Sequence, residues 1–286
     1  MQVYLNGQYI HHSEATVPVD DRGFLFADGV YEVARIYGGR LFLMEPHMER
    51  LRAGLAALRI RDADINNLDD VASRLIEAND VTGDGTLYVQ VTRGVAPRKH
   101  AFPAEGTAPT VYAVAKPFNN HPAEYFSNGV AAITVPDNRW TRCDIKSIAL
   151  LPNVLANQAA HDAGAFEGLF VKDGVVIEGS HSNLFAVLDD RLITYPSGNY
   201  ILTGITRNLV LELARELDIP CAEAPLYAEH AGDVSELFLS GTTTEVMPIT
   251  TLDGRPVGDG RVGPVARRLQ AAFRQKVEEM LQVATA

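Results

Sequence analysis

The sequence predicts an α+β (mixed α/β) fold in two domains, and three observations carry that prediction. Strand-like and helix-like stretches alternate along the 286 residues without the regular βαβ spacing of a doubly wound sheet. That length suits one large domain or two ordinary ones, with two the better expectation. Finally, a polar, proline-containing stretch, FNNHPA at 118–123, breaks the pattern and reads as a linker. The expected division is a small N-terminal domain over 1–117, a linker over 118–123 and a larger C-terminal domain over 124–286.

The elements follow in order. VYLNGQYI sets an Asn-Gly pair between two β-prone pieces, which predicts a hairpin. GVYEVARIYGGRLFLM repeats the device with Gly38-Gly39 at the turn. Met48, Leu51, Leu55 and Leu58 then fall at helical spacing, so a helix starts near Glu45. NNLDDVASRLIEAND reads as a second helix, and TLYVQVTRG and TVYAVAKP as strands. Past the linker come a strand, GVAAITVP, and a helix after Pro152. Strands follow from Gly168 to Tyr195, turned at Asp173-Gly174 and Asp189-Asp190. TRNLVLELARELDI is amphipathic, SELFLSGTTTEVMPITTLDGRPV is again strand-like, and PVARRLQAAFRQKVEEML closes the chain as a helix.

Composition narrows the function. With 36 Asp+Glu against 25 Lys+Arg, the chain lacks the basic stripe of a nucleic-acid binder. No apolar run approaches the roughly 18–20 residues that cross a bilayer, so no membrane partner is expected. The start, MQVYLNGQYI, has neither the basic nor the apolar region of a signal peptide, which makes the cytoplasm the expected location. Two cysteines cannot form a disulfide framework, and the eight histidines show no metal-ligand spacing; no metal is expected. GDGRVG at 258–263 matches a dinucleotide fingerprint in letters only. It lies too near the C-terminus to open a βαβ unit and reads as a loop. Neither a nucleophile elbow nor a Walker loop is present, which removes the usual hydrolase and nucleotidase signatures.

Lysine is scarce, and one of the five, Lys146, lies in CDIKSIALLPNVLA among apolar residues. An amine near a core is desolvated and becomes a better nucleophile, as Schiff-base chemistry requires; the alternative is a lysine snorkelling from a strand end. A pyridoxal cofactor would also need a carboxylate for its pyridine nitrogen and a nest for its phosphate. Glu178 ends the apolar strand of GVVIEGSHSN and suits the first. TGITRN, at the start of a strong helix, and SGTTTEV suit the second. The loop TRGVAPRKHAFP concentrates positive charge in an acidic chain. In extended conformation Arg98 and His100 share a face and Lys99 points away.

Taken together, these stretches resemble the fold-type IV pyridoxal-phosphate enzymes, and within them the D-amino acid aminotransferases most. The matches run in order through VYLNG, DDRGFLFADGVYEV, TRGVAPRKHAFP, DIKSIALLPNVLA, VIEGSHSNLF, ILTGIT and SGTTTEV. The resemblance implies pyridoxal 5′-phosphate as cofactor, D-amino acids and 2-oxo acids as substrates, and a homodimer whose partner loops close the site. It implies that Lys146 forms the Schiff base and then moves the proton between substrate Cα and cofactor C4′. Glu178 matches the pyridine-nitrogen partner, and Arg139 the arginine supporting it. Arg50, Ile205, Thr206 and Thr242 match phosphate-binding positions, and Leu202 packs on the ring. Tyr31, Arg98 and His100 match the residues that receive the substrate carboxylate. Alternatives within the fold are an (R)-amine or branched-chain aminotransferase and an aminodeoxychorismate lyase; outside it, a catalytically silent small-molecule-binding protein. One departure stands out: His181 replaces a serine in the turn after Glu178.

Overall fold

In the computed structural model, which describes residues 1–282, the Asn-Gly pair turns the first hairpin: Asn6 (φ 50°) and Gly7 (φ 86°) join β1 (Gln2–Leu5) to β2 (Gln8–His11). Both central residues have the positive φ that a type I′ turn demands. A short helix, α1 (Arg22–Phe26), follows, capped by the Asp21 carboxylate accepting from Gly23 N–H at 2.7 Å. β3 (Gly29–Tyr37) and β4 (Arg40–Phe42) meet at Gly38-Gly39, and α2 (Met44–Leu58), α3 (Leu68–Ala78), β5 (Gly85–Thr92) and β6 (Thr110–Pro117) complete the series. The strands form an antiparallel six-stranded sheet in the order β2-β1-β6-β5-β3-β4. Val30, Ala34 and Ile36 on β3 pack with Met48, Leu51 and Leu55 of α2 and Leu68, Val71 and Leu75 of α3. Helix and strand periods thus bury matching faces in one core.

This first unit comprises Met1–Asn120 and also Ile145–Ala149. The second comprises His121–Asp144 and the chain from Leu150 onward, so the division is not contiguous in sequence. Part of the stretch expected to be linker, from Ala123, instead begins a helix, α4 (Ala123–Asn128). β7 (Val130–Pro136) and α5 (Leu151–Asp162) come next. β8 (Glu167–Lys172), β9 (Val175–Gly179), β10 (Asn183–Leu188) and β11 (Arg191–Thr194) then form a meander. α6 (Ile205–Glu216), β12 (Cys221–Glu223), β13 (Leu226–Tyr227), β14 (Glu236–Gly241), β15 (Glu245–Leu252), β16 (Arg255–Pro256) and α7 (Pro264–Gln282) finish the unit. Residues 258–263 are loop.

The second unit's sheet runs β12-β11-β10-β14-β15-β7-β8-β9-β13, with β16 on β15. A further pairing, Glu178 with Asn183, joins β9 to β10 and closes six of these strands into a ring. Leu169, Leu184, Leu239 and Met247 belong to its core. The overall class is mixed α/β, as the periodicities predict. Among the described residues no helix is long and apolar enough to cross a membrane, and no cluster of metal-ligating side chains occurs.

Candidate active site

Lys146 is tied to β3 by backbone pairing. Tyr31 N–H donates to Lys146 O at 3.0 Å, Ile148 N–H donates to Gly29 O at 3.1 Å, and Val30 bridges Ser147. Ile145 is buried in the first unit's core. Only glycine fits at position 29, where a Cβ would lie 2.6 Å from Val91 O and 3.1 Å from Ile148 Cδ1. The side chain that results is half-buried, with Nζ 4.2 Å from the centre of the Tyr31 ring. The apolar residues behind Lys146 do not enclose it: Ala149 and Leu151 are exposed, because the chain leaves the first unit there to begin α5. Its neighbours are an aromatic face and a charge.

That charge is Glu32, which follows Tyr31 and so points to the opposite face of β3. Arg50 Nε donates to Glu32 Oε1 at 2.7 Å and Nη2 donates to Oε2 at 2.9 Å, while His47 Nδ1 lies 2.8 Å from Oε2. Burial alone would raise the Glu32 carboxyl, but hydrogen bonds from Arg50 and His47, with Lys146 adding its field, hold it at about 2. Burial is also the main cause that lowers the His47 pKa, against the pull of Glu32.

The residues matched to carboxylate binding fall into two groups. Tyr31 stacks on Tyr88, ring centres 5.8 Å apart, and carries Lys146 over its face. Arg98 and His100 meet one other ring, Phe26, at 5.2 and 5.5 Å from its centre.

In the second unit, Glu178 lies buried where the sheet closes. Arg139 Nη1 donates to its Oε1 at 2.5 Å, Asn183 Nδ2 donates to its Oε2 at 3.0 Å, and Leu202 N–H donates to Oε2 at 3.2 Å. Arg139 is itself gripped by Asp137, both contacts at 2.9 Å, and rests on Phe170. Burial dominates and pushes the Glu178 carboxyl up to about 7, with Arg139 and Leu202 pulling the other way. Ile205 and Thr206 open α6, whose N-cap, Gly204, supplies no side-chain cap. Thr242 lies in the β14–β15 turn. His181 does not stand free: its Nδ1 is 3.1 Å from Oε2 of the fully buried Glu167, which also accepts from the Ser180 and Ser182 hydroxyls.

The family model for amino-transferase class IV matches residues 29–252. The chain belongs to the amino-transferase class IV family. It is 40% identical over 278 residues to a D-alanine aminotransferase of Staphylococcus haemolyticus, covering 97% of this chain and 98% of that protein. It is 41% identical to the D-alanine aminotransferase of Bacillus licheniformis, with 97% of each covered. Among solved structures, a branched-chain amino acid aminotransferase of Escherichia coli superposes with a TM-score of 0.86 at 28% identity, over 95% of this chain and 92% of that one.

Class IV aminotransferases use pyridoxal phosphate, and the donor set of this chain fits that group. The first turn of α6 offers orphan N–H groups and the positive end of a helix dipole to a phosphate. On either side of Thr242 in sequence, Ser240 Oγ and Thr244 Oγ1 are buried without a hydrogen-bond partner. A phosphate oxygen accepts from such hydroxyls, offsetting a cost of about 1–3 kcal/mol for each orphan. The Glu178 carboxylate, fixed by Arg139, Asn183 and Leu202, is an acceptor of the kind a protonated ring nitrogen would need.

Several members of these clusters were not singled out from the sequence: Glu32, His47, Asp137, Asn183, Glu167 and Phe26. Glu32 did leave a signal. In GVYEVARIY it occupies the row of Val30, Ala34 and Ile36, all buried, where a charge requires a partner.

Proposed function

We propose that the protein transfers the amino group of D-amino acids to 2-oxo acids with pyridoxal phosphate, D-alanine and 2-oxoglutarate giving pyruvate and D-glutamate. The observation that carries the substrate choice is the arrangement of Arg98 and His100 on the single ring of Phe26. Two cationic-capable donors beside one ring are what a carboxylate clamp would require, which supports this reading. The D-alanine aminotransferases at 40–41% identity support it over the branched-chain enzymes at 28%.

In this reading Lys146 would hold the cofactor by its aldehyde group and, as a free amine, would move the proton between substrate Cα and C4′. Pyridoxal phosphate, when bound, supplies the electron sink that takes up the pair left at Cα. Glu178, braced by Arg139 and Asn183, keeps the ring nitrogen protonated. Arg50, Ile205, Thr206 and Thr242 hold the phosphate, and Leu202 packs on the ring. Arg98, His100 and Tyr31 bind the substrate carboxylate. With the carboxylate fixed and Lys146 on one face of the ring, only one Cα hydrogen faces the base.

We place the enzyme as a homodimer in which partner loops complete the site. Support comes from α5, where Leu151, Val154 and Leu155 form an exposed apolar stripe at i, i+3, i+4, and from exposed Val19 and Phe24 in the first unit. Two free cysteines suit a reducing compartment such as the cytoplasm. Transamination assays with D- and L-alanine against 2-oxoglutarate test the reading. D-alanine should react at least about a hundredfold faster, Lys146→Ala should be inactive, and Arg98→Ala should raise the KM for D-alanine by roughly tenfold or more, the weight of a charged hydrogen bond. Faster turnover of L-alanine would sink the D assignment.

A further inference from the structure

The loop carrying Arg98 and His100 is fastened from beneath by buried charge. Arg22, 3% exposed, donates from Nη1 to Lys99 O at 2.7 Å and to Ala101 O at 3.5 Å. Its Nε donates to Asp28 Oδ2 at 2.8 Å. Arg93, also buried, takes both oxygens of Asp28, at 2.8 and 2.9 Å, and lies 3.8 Å from the centre of the Phe102 ring. One carboxylate therefore serves two guanidiniums: Arg22 turns its Nη1 to the loop carbonyls, while Arg93 donates onward to Leu58 O and Arg59 O at the end of α2 and meets the loop through the Phe102 ring. Burial would raise the Asp28 carboxyl, but the two arginines outweigh it and lower it, so the hub stays charged.

Phe26 ends α1, four residues after Arg22, and its ring is the meeting point. Arg22 lies 4.8 Å from its centre, Arg98 lies 5.2 Å away, and the His100 ring is tilted at 45° to it. An aromatic face attracts cations through its quadrupole, which an aliphatic side chain of similar volume lacks. Backbone anchoring by Arg22 fixes where the loop runs. It does not fix where two exposed, flexible side chains point; the shared ring does.

We propose that Phe26 is a positioning residue for the carboxylate clamp: it holds Arg98 and His100 in register, with Arg22 and the Asp28 hub holding the loop that bears them. The inference rests on the carboxylate reading of Arg98 and His100. Its effect is on substrate capture, since the contacts its ring makes are with Arg98 and His100 of the clamp and with Arg22 beneath the loop.

Steady-state kinetics of the holoenzyme with D-alanine and 2-oxoglutarate provide the test. Phe26→Leu should raise the KM for D-alanine about five- to tenfold and leave kcat within a factor of about two, since uniform binding is lost and chemistry is not. Phe26→Tyr, which keeps the ring, should restore the KM to within about twofold. In an Arg98→Ala background, Phe26→Leu should add less than about half of its effect in the intact enzyme. An unchanged KM in Phe26→Leu, a fall confined to kcat, or full additivity with Arg98→Ala overturns the proposal. If Phe26→Leu does not fold, Phe26→Met carries the same expectations. An unchanged KM in Arg98→Ala alone means instead that the clamp reading has failed.

Discussion

Glu32 in the first unit and Glu178 in the second are both buried glutamates held by an arginine, yet their carboxyls move in opposite directions, to about 2 and to about 7. Glu32 has Arg50 in a bidentate grip, with His47 in addition and Lys146 nearby. Glu178 receives one nitrogen of Arg139, whose Nε and Nη2 belong to Asp137. The contrast shows that an arginine beside a carboxylate does not by itself decide its ionisation. What decides is how much of the arginine's charge is left over, set against the depth of burial. Burial, only partly offset by an arginine that Glu178 shares with Asp137, leaves its carboxyl raised.

Removing each arginine gives the largest expected effect and separates the two arrangements. Arg139→Met strands two buried carboxylates and should cost about 3–5 kcal/mol. Arg50→Met strands one that His47 still serves and should cost about 1.5–3 kcal/mol, the weight of charged hydrogen bonds. Urea unfolding at neutral pH measures both; equal losses, or a greater one for Arg50→Met, would break the contrast.

The pH dependence of stability should carry opposite signs at the two sites. Glu32 has a folded pKa below its ordinary 4.5, so its stabilisation is complete above that value and lost as pH falls toward about 2. Glu178 has a raised pKa: between 4.5 and about 7 the folded chain keeps a proton the unfolded chain has released, and stability declines as pH rises through that window. Unfolding midpoints followed from pH 3 to 8 should lose the acid slope in Glu32→Gln and the near-neutral slope in Glu178→Gln. The same change in both variants would contradict the assignment.

The smallest effect concerns a third buried glutamate. Glu167 accepts from Gly168 and Ser180 N–H and from the Ser180 and Ser182 hydroxyls, all at 2.6–3.0 Å, with half-exposed His181 as an additional partner. Neutral donors already surround it, and a solvent-screened pair adds little. His181→Ser should therefore shift stability by no more than about 0.5 kcal/mol, or roughly 1–2 °C in Tm. A loss above about 1 kcal/mol by thermal denaturation would show that a buried carboxylate here requires its histidine.

Much of the fold is legible in the residues because the signals are local. Asn6-Gly7, Gly38-Gly39 and Asp173-Gly174 specify turns through backbone conformations few residues accept, and the apolar spacing in α2 and α6 specifies a buried face. α1 and α4 escape notice because five or six residues are too short for a helical period to emerge. The return of Ile145–Ala149 to the first unit escapes for another reason: it depends on pairing with Gly29–Tyr31, far back in the chain. The clusters divide the same way. Lys146 and Glu178 are singled out by their immediate neighbours, although the apolar residues after Lys146 do not enclose it in the fold. That Arg139 serves two acids, or that Asp28 serves two arginines, is a property of charges brought together by folding, and neighbour spacing does not encode it.

The ring closure in the second unit bears on how the protein is made. Glu178 is pinned by Asn183 across the join of β9 and β10, but the ring also needs β15, whose Ile249 pairs with Val130 of β7. On a ribosome, those partners appear near opposite ends of the unit's synthesis. The nascent chain therefore carries open strand edges until β15 emerges, which exposes it to wrong pairings and slows its maturation. Closure of the ring waits for β15, although the residues that hold the Glu178 carboxylate, Arg139, Asn183 and Leu202, all precede that strand in the chain.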